Sequence, residues 1–199
     1  MNAMSSESSR KRPYRQKARA ERQAQTRRRI AAAAASLHEE VGPARTTVAE
    51  IARRAGVRRP TVYNNFPDER ELFAACQAHF LSEHPPPDLA PLVAVRRPAA
   101  RIRIVLEAMY GWYRSTRAMA ANVQRDRRLL PELDAVLAET ADAQLDALAG
   151  VLAERASRPL IRLALEFSTW QRLTDEGLSD TEAAALMADA ASQVRSARA

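Results

Sequence analysis

The chain has 199 residues, of which 46% are hydrophobic, 5% are aromatic and only five are glycine, so it can bury a helical core. Its net charge of +7 is uneven, because residues 1–29 hold ten basic and two acidic side chains while the remainder has a slight acidic excess. This one-ended charge favours a nucleic-acid partner over a membrane, and the single cysteine, Cys76, excludes an intrachain disulfide.

The strong helix formers Ala, Leu, Glu, Arg and Gln dominate, and we expect an all-α protein. Residues 1–20 are predicted to be a disordered basic arm, for which a merely solvated tail is the alternative. Residues 21–84 are predicted to form the first domain, which ends in a connecting helix. Its first helix runs from Glu21 to Val41, with apolar residues at three- and four-residue steps, and ends at Gly42 and Pro43.

Two short helices are predicted next. Thr47 and Glu50 have the spacing of a capping box, which starts a helix that ends near Ala55. Gly56 provides the turn, and the second short helix covers residues 59–65. A third helix, capped by Asp68, runs to about residue 82 and buries Cys76.

The second short helix is predicted to present polar side chains outward. Arg bonds guanine and Asn bonds adenine in the major groove, so this face can read bases. An ordinary helical hairpin with a polar face is the alternative interpretation. The outward set is Arg58, Arg59, Pro60, Thr61, Tyr63, Asn64 and Asn65.

The segment TVAEIARRAGVRRPTVYNNF, residues 47–66, resembles the helix-turn-helix of TetR-family regulators, T-x-x-I-A-x-x-A-G-V followed by T-[VL]-Y-x-x-F. The resemblance implies a three-helix helix-turn-helix DNA-binding domain followed by a larger helical domain for dimerisation and effector binding. It implies phosphate contacts by Thr47, Tyr63 and Asn65. It implies that the side chains facing bases are Arg59, Pro60, Thr61 and Asn64.

Two positions depart from the family pattern. Arg58 stands where members usually have a capping residue, and it adds a cation near the DNA. Glu69 stands where members usually have a phosphate-binding lysine, and a carboxylate repels phosphate. Arg70 or the N-terminal arm is the candidate to replace that contact, while Arg27, Arg28 and Arg29 are equally well explained as a solvated face.

Prolines 85–87 and 91 mark a break, after which residues 92–199 are predicted to form the second domain. Helices are expected over 98–123, 129–152, 159–176 and 180–196, the last capped by Ser179 and Glu182. By resemblance, the last two helices form a four-helix bundle with a second copy, and their apolar surplus supports this. The predicted dimer-interface residues are Phe167, Trp170, Leu186, Met187, Ala190 and Val194.

An effector pocket is predicted in the second domain, lined by Met109, Trp112, Tyr113 and Asn122. The alternative is that each of these side chains is simply part of the core, because aromatic and Met residues at helical spacing usually pack. The sequence does not specify the effector.

The sequence therefore predicts a homodimeric, ligand-responsive repressor that binds a pseudo-palindromic DNA operator in the cytoplasm. The alternative is a helical small-molecule binding protein with weakened DNA binding, which Arg58 and Glu69 favour. No enzyme is expected, because no catalytic constellation is found. No metal or other cofactor is expected either, since His79 and His84 are poorly spaced as ligands.

Overall fold

The computed structural model describes residues 6–153 and 157–196, with side chains over 16–153 and 157–194. These residues contain helices and turns and no strand, which confirms the predicted all-α class. Among the described residues, no helix combines the length and the hydrophobicity that a membrane span requires. The chain divides into two compact units, and the division falls between Phe80 and Leu81.

The first unit contains the predicted helices. They are α1 (Ser6–Glu40), a 3₁₀ turn (Pro43–Arg45), α2 (Val48–Arg54), α3 (Arg59–Asn65) and α4 (Glu69–Glu83), which runs through the division. Residues 6–20 form the first part of α1 in the structure, whereas the sequence predicts a disordered arm there. Residues 14–29 are mostly Arg, Lys, Gln, Ala and Glu without glycine, and these residues favour helix. Residues 1–5 lie outside the described residues.

The core of the first unit is small and closely packed. It is formed by Ile30, Ala34, Leu37, Ile51, Ala52, Val62, Phe66, Leu72, Phe73 and Cys76. The Cys76 sulfur lies 3.3 Å from Nδ1 of His38, whose ring packs against Phe73. Burial raises the pKa of the Cys76 thiol to about 12. The predicted burial of Cys76 is confirmed.

The second unit is built around α6 and α12. Its helices are α5 (Ala90–Val93), α6 (Pro98–Ser115), α7 (Arg117–Asp126), α8 (Pro131–Leu137), α9 (Ala143–Leu152), α10 (Arg158–Ala164), α11 (Phe167–Asp175) and α12 (Asp180–Ser196). A π turn, Ala138–Asp142, joins α8 to α9. Helix α12 packs on α6, and it buries Ala183, Ala184, Ala188 and Ala191. Small side chains allow this close helix approach. The predicted capping box of Ser179 and Glu182 is present at the start of α12.

Two helices that the periodicity predicts as continuous are interrupted. The predicted helix 98–123 breaks at Thr116, whose hydroxyl and amide both donate to the carbonyl of Trp112. Back-bonding of this kind bends helices. The predicted helix 159–176 breaks at Glu166, which has an extended backbone (φ −75°, ψ 138°).

Tyrosine hydroxyls occupy the carbonyls that the second break exposes. Tyr110 donates to the carbonyl of Ala164 at 2.8 Å, and Tyr113 donates to that of Leu165 at 2.6 Å. Both rings are buried. The break at Glu166 therefore leaves neither of these buried carbonyls unsatisfied, which is why the core tolerates it.

Trp170 is the centre of a polar cluster at the edge of this core. Its Nε1 donates to Asp180 at 2.8 Å, and Arg114 donates two hydrogen bonds of 2.7 Å to the same carboxylate. The guanidiniums of Arg114 and Arg117 lie over the indole ring. The Arg114 hydrogen bonds, supported by that of Trp170, hold the pKa of the Asp180 carboxyl below its usual range.

We expect Asp180→Asn to lower the melting temperature at pH 7 by a few degrees. Asparagine keeps an acceptor for Trp170 but removes the charge that Arg114 binds. Because the folded pKa of Asp180 lies below the unfolded one, the stabilisation is complete at neutral pH. It disappears as the pH falls below about 4, where the unfolded-state carboxyl begins to bind its proton.

The measurement is thermal unfolding of the wild type and the Asp180→Asn variant between neutral pH and pH 3. The difference between their melting temperatures should shrink in acid. A difference that stays constant with pH would contradict the role of the charge.

Candidate nucleic-acid interface

Local sequence signals determine where α2 begins and how the chain turns into α3. The amide of Glu50 donates to the Thr47 hydroxyl at 3.3 Å and the amide of Thr47 donates to the Glu50 carboxylate at 3.2 Å, so the predicted capping box is present. The hydrogen bonds from Thr47 lower the pKa of Glu50. Gly56 has a φ of +64°, a conformation that glycine adopts at least cost. Helix α3 therefore follows α2 through a tight turn.

The outward face of α3 carries most of the side chains predicted to contact DNA. Arg58, Arg59, Pro60, Tyr63 and Asn64 are exposed, and Tyr63 has 58% of its surface accessible. Thr61 is half-buried, and Thr47 is exposed at the start of α2. Arg58 precedes α3 without a side-chain capping bond, as its chemistry predicts. The exposed set is suited to bonding base edges and phosphates.

Asn65 is the exception. Only 8% of its surface is exposed, and its amide nitrogen donates to the carbonyl of Thr61 at 2.7 Å. A side chain bonded back along its own helix is poorly placed for the phosphate contact that the family resemblance implies, and the geometry does not support that assignment. The residue ends α3, where the helix meets α1.

Arg27 of α1 holds the end of α3 in place. Its Nη1 donates to the carbonyl of Asn65, and its guanidinium carbon lies 4.2 Å from the centre of the Phe66 ring. Its Nη2 also lies 3.3 Å from the carboxylate of Glu71 on α4. Arg27 is thus a positioning residue that joins three helices. Sequence periodicity alone leaves it indistinguishable from Arg28 and Arg29, which are exposed.

We expect Arg27→Ala to lower the free energy of unfolding of the first unit by about 1–3 kcal/mol. The variant loses a hydrogen bond to a helix-terminal carbonyl and a cation–π contact, and it leaves the Asn65 carbonyl without this donor. Chemical denaturation followed by circular dichroism measures the loss. Arg28→Ala is the matched control on the same helix, and an equal loss in both variants would contradict the positioning role.

An open groove of about 860 Å³ lies between α1 and α3. It is lined by Arg19, Arg22, Gln23 and Thr26 of α1 and by Thr61, Asn64 and Asn65 of α3. Two cations and several hydrogen-bonding groups therefore lie beside the outward face of α3.

The start of α4 is acidic. Asp68 accepts a hydrogen bond of 2.7 Å from the amide of Glu71, as the predicted cap requires, and Glu69 is exposed in the first turn. A helix start normally attracts anions. Carboxylates at this end oppose that attraction, which agrees with Glu69 replacing the phosphate-binding lysine of the family pattern.

The predicted effector residues are divided between the core and its margin. Met109 and Tyr113 are buried, and Tyr113 packs edge-on against Phe167. Trp112 is half-buried and donates to the carbonyl of His84 at 3.1 Å, while Asn122 is half-buried and accepts from Arg125 at 2.8 Å. Met109 and Tyr113 therefore have core contacts, as the alternative interpretation predicts.

The predicted dimer residues are also divided. Phe167, Trp170 and Met187 are buried inside their own chain, where they belong to the core of the second unit. The break at Glu166, before α11, directs these side chains toward the core of their own subunit. Leu186 is 50% exposed, and Ala190 and Val194 are half-buried.

Three comparisons relate this geometry to known proteins. Residues 30–76 match the family described as bacterial regulatory proteins, tetR family. Uncharacterised HTH-type transcriptional regulators of Mycobacterium tuberculosis and Mycobacterium bovis are 56% identical over 52 residues, which is 26% of this chain and 28% of each relative. The crystal structure of RolR in complex with the ligand resorcinol covers 89% of both chains, with a TM-score of 0.51 and 22% identity, and shares the fold.

Proposed function

We propose that this chain is a regulator of the tetR family, whose description its residues 30–76 match. As a homodimeric repressor, it binds a pseudo-palindromic operator and releases it when a small molecule binds. The exposed face of α3 supports this proposal most strongly. It presents Arg59, Tyr63 and Asn64 on a short helix whose far end Arg27 fixes. Rigid placement of base-reading side chains is what sequence recognition needs.

Exposed apolar side chains of the second unit support the dimer. Val151 on α9, Leu163 on α10 and Leu186 on α12 are each about half exposed, and α10 packs against both α9 and α12. Apolar side chains on neighbouring helices favour association with a second copy. Two-fold symmetry then places two recognition helices about 34–36 Å apart, one turn of DNA.

The small-molecule effector acts on the second unit. RolR, which has the same fold, was crystallised with resorcinol. Trp112 and Asn122, which are half-buried, are the candidates to contact an effector here. The effector releases DNA only to the extent that it binds the released state more tightly than the DNA-bound state. Such a regulator works in the cytoplasm, where the operator is.

Selection of random duplexes on the purified full-length protein tests this function. We expect enrichment of a two-fold pseudo-palindrome with half-site centres about 10 base pairs apart. Tyr63→Ala is the matched variant, because its side chain is exposed and its loss leaves the core intact. It should bind the selected duplex more weakly.

Absence of any enriched sequence at both low and moderate salt would overturn the repressor proposal. Stabilisation of the same preparation by small molecules in thermal unfolding would then favour the alternative of a ligand-binding protein with weakened DNA binding.

A further inference from the structure

One face of α1 changes from apolar to polar along its length. Residues at three- and four-residue steps lie on one side of a helix. On this side the series runs Arg19, Gln23, Thr26, Ile30, Ala34 and Leu37. The last three are buried in the core of the first unit, and the first three line the groove beside α3. The same side of α1 that packs on the domain thus continues as the wall of an open groove.

The groove carries positive charge. Arg19 and Arg22 line it, and none of its lining residues is acidic. Arg22 donates through Nε to the carbonyl of Ala18 at 3.0 Å, which leaves its two terminal nitrogens for another acceptor. Glu21 is on α1 but does not line the groove. A chain of phosphates is the polyanion that fits such a lining.

The position of the groove identifies which phosphates would lie there. Thr61 and Asn64 form its other wall, and both belong to the helix predicted to contact bases. With α3 on DNA, the backbone beside the bases that Asn64 reaches would have Arg19 and Arg22 on the facing wall of the groove. Carboxylates at the start of α4 repel phosphate there, whereas the charged side chains that line the groove beside α3 are all cationic.

We propose that this groove is a phosphate-binding site for the DNA strand that α3 reads, with Arg19 and Arg22 as its cationic groups. The site rests on the proposed function, since it needs α3 to lie on DNA. It binds the sugar–phosphate backbone and therefore adds affinity without adding sequence preference.

The test uses the full-length protein, its selected duplex and a scrambled duplex of equal length, with fluorescence anisotropy at several salt concentrations. Arg19→Ala/Arg22→Ala is the test variant. Lys17→Ala/Arg28→Ala is the control, because it removes the same charge from exposed positions of α1 that do not line the groove. We expect the test variant to bind both duplexes at least about tenfold more weakly than the control. The slope of log affinity against log salt should become shallower by about 2, as two phosphate contacts predict.

The ratio of affinities for the selected and scrambled duplexes should stay unchanged. Arg19→Lys/Arg22→Lys should keep most of the salt slope, and circular dichroism checks that all variants fold. Equal weakening by the test and control variants would overturn the site. It would also be overturned if the test variant lost affinity for the selected duplex but kept its affinity for the scrambled duplex. If the wild type prefers no sequence, the proposed function fails. If it does prefer one and the test variant matches the control, only this site fails.

Discussion

Trp170→Ala is expected to lower the free energy of unfolding of the second unit by about 3–5 kcal/mol. The indole is fully buried, so the variant leaves a cavity among Tyr113, Phe167 and their neighbours. It also removes the Nε1 hydrogen bond to Asp180. Denaturant titration followed by circular dichroism measures the loss.

Leu129→Ala is the control for this experiment, because Leu129 is 68% exposed in the same unit and its loss should change stability by about 0.5 kcal/mol or less. The Trp170→Ala loss should also be constant over about a hundredfold range of protein concentration, since the cavity forms inside one chain. A loss of unfolding free energy that increases on dilution would instead indicate that Trp170 lies at the subunit interface.

The double substitution Arg59→Ala/Asn64→Ala is expected to weaken binding to the selected duplex by roughly 100-fold or more. Each side chain is exposed on α3, and a bidentate contact to a base contributes about 1–3 kcal/mol of discrimination. Binding to a scrambled duplex should fall much less, because that binding depends on phosphate contacts. Anisotropy titrations with both duplexes measure the two effects.

Arg172→Ala is the charge-matched control, because Arg172 is exposed in the second unit and pairs with Glu176. It should leave both affinities unchanged. Equal weakening on the selected and scrambled duplexes in the α3 variant would contradict base reading by Arg59 and Asn64.

Local signals in the sequence predict α2, α3 and the turn between them. The capping box at Thr47 and Glu50 and the turn at Gly56 depend on residues that are neighbours in the chain, and both are present. The contacts of Asn65 and Arg27 do not follow from neighbouring residues. Asn65 lies near the outward residues in sequence, yet its side chain bonds back to Thr61, and Arg27 reaches its carbonyl from 38 residues away. Contacts between helices determine the positions of both side chains.

The second unit was predicted less well for a related reason. Its apolar periodicity continues through Thr116 and Glu166, so the pattern indicates two long helices where the structure has four. The breaks are stable because of distant partners, such as Tyr113, whose hydroxyl satisfies a carbonyl 52 residues away. Side chains predicted to face a second subunit, Phe167 and Trp170, became internal as a result.

The triple contact of Arg27 has a consequence for mutational screening. A screen that scores only DNA binding would find substitutions at position 27 inactive beside those at Arg59 and would assign both positions to DNA contact. The two classes separate only when protein abundance is scored in the same cells, because a residue that anchors the end of α3 reduces the amount of folded protein, whereas a base-reading residue leaves it unchanged.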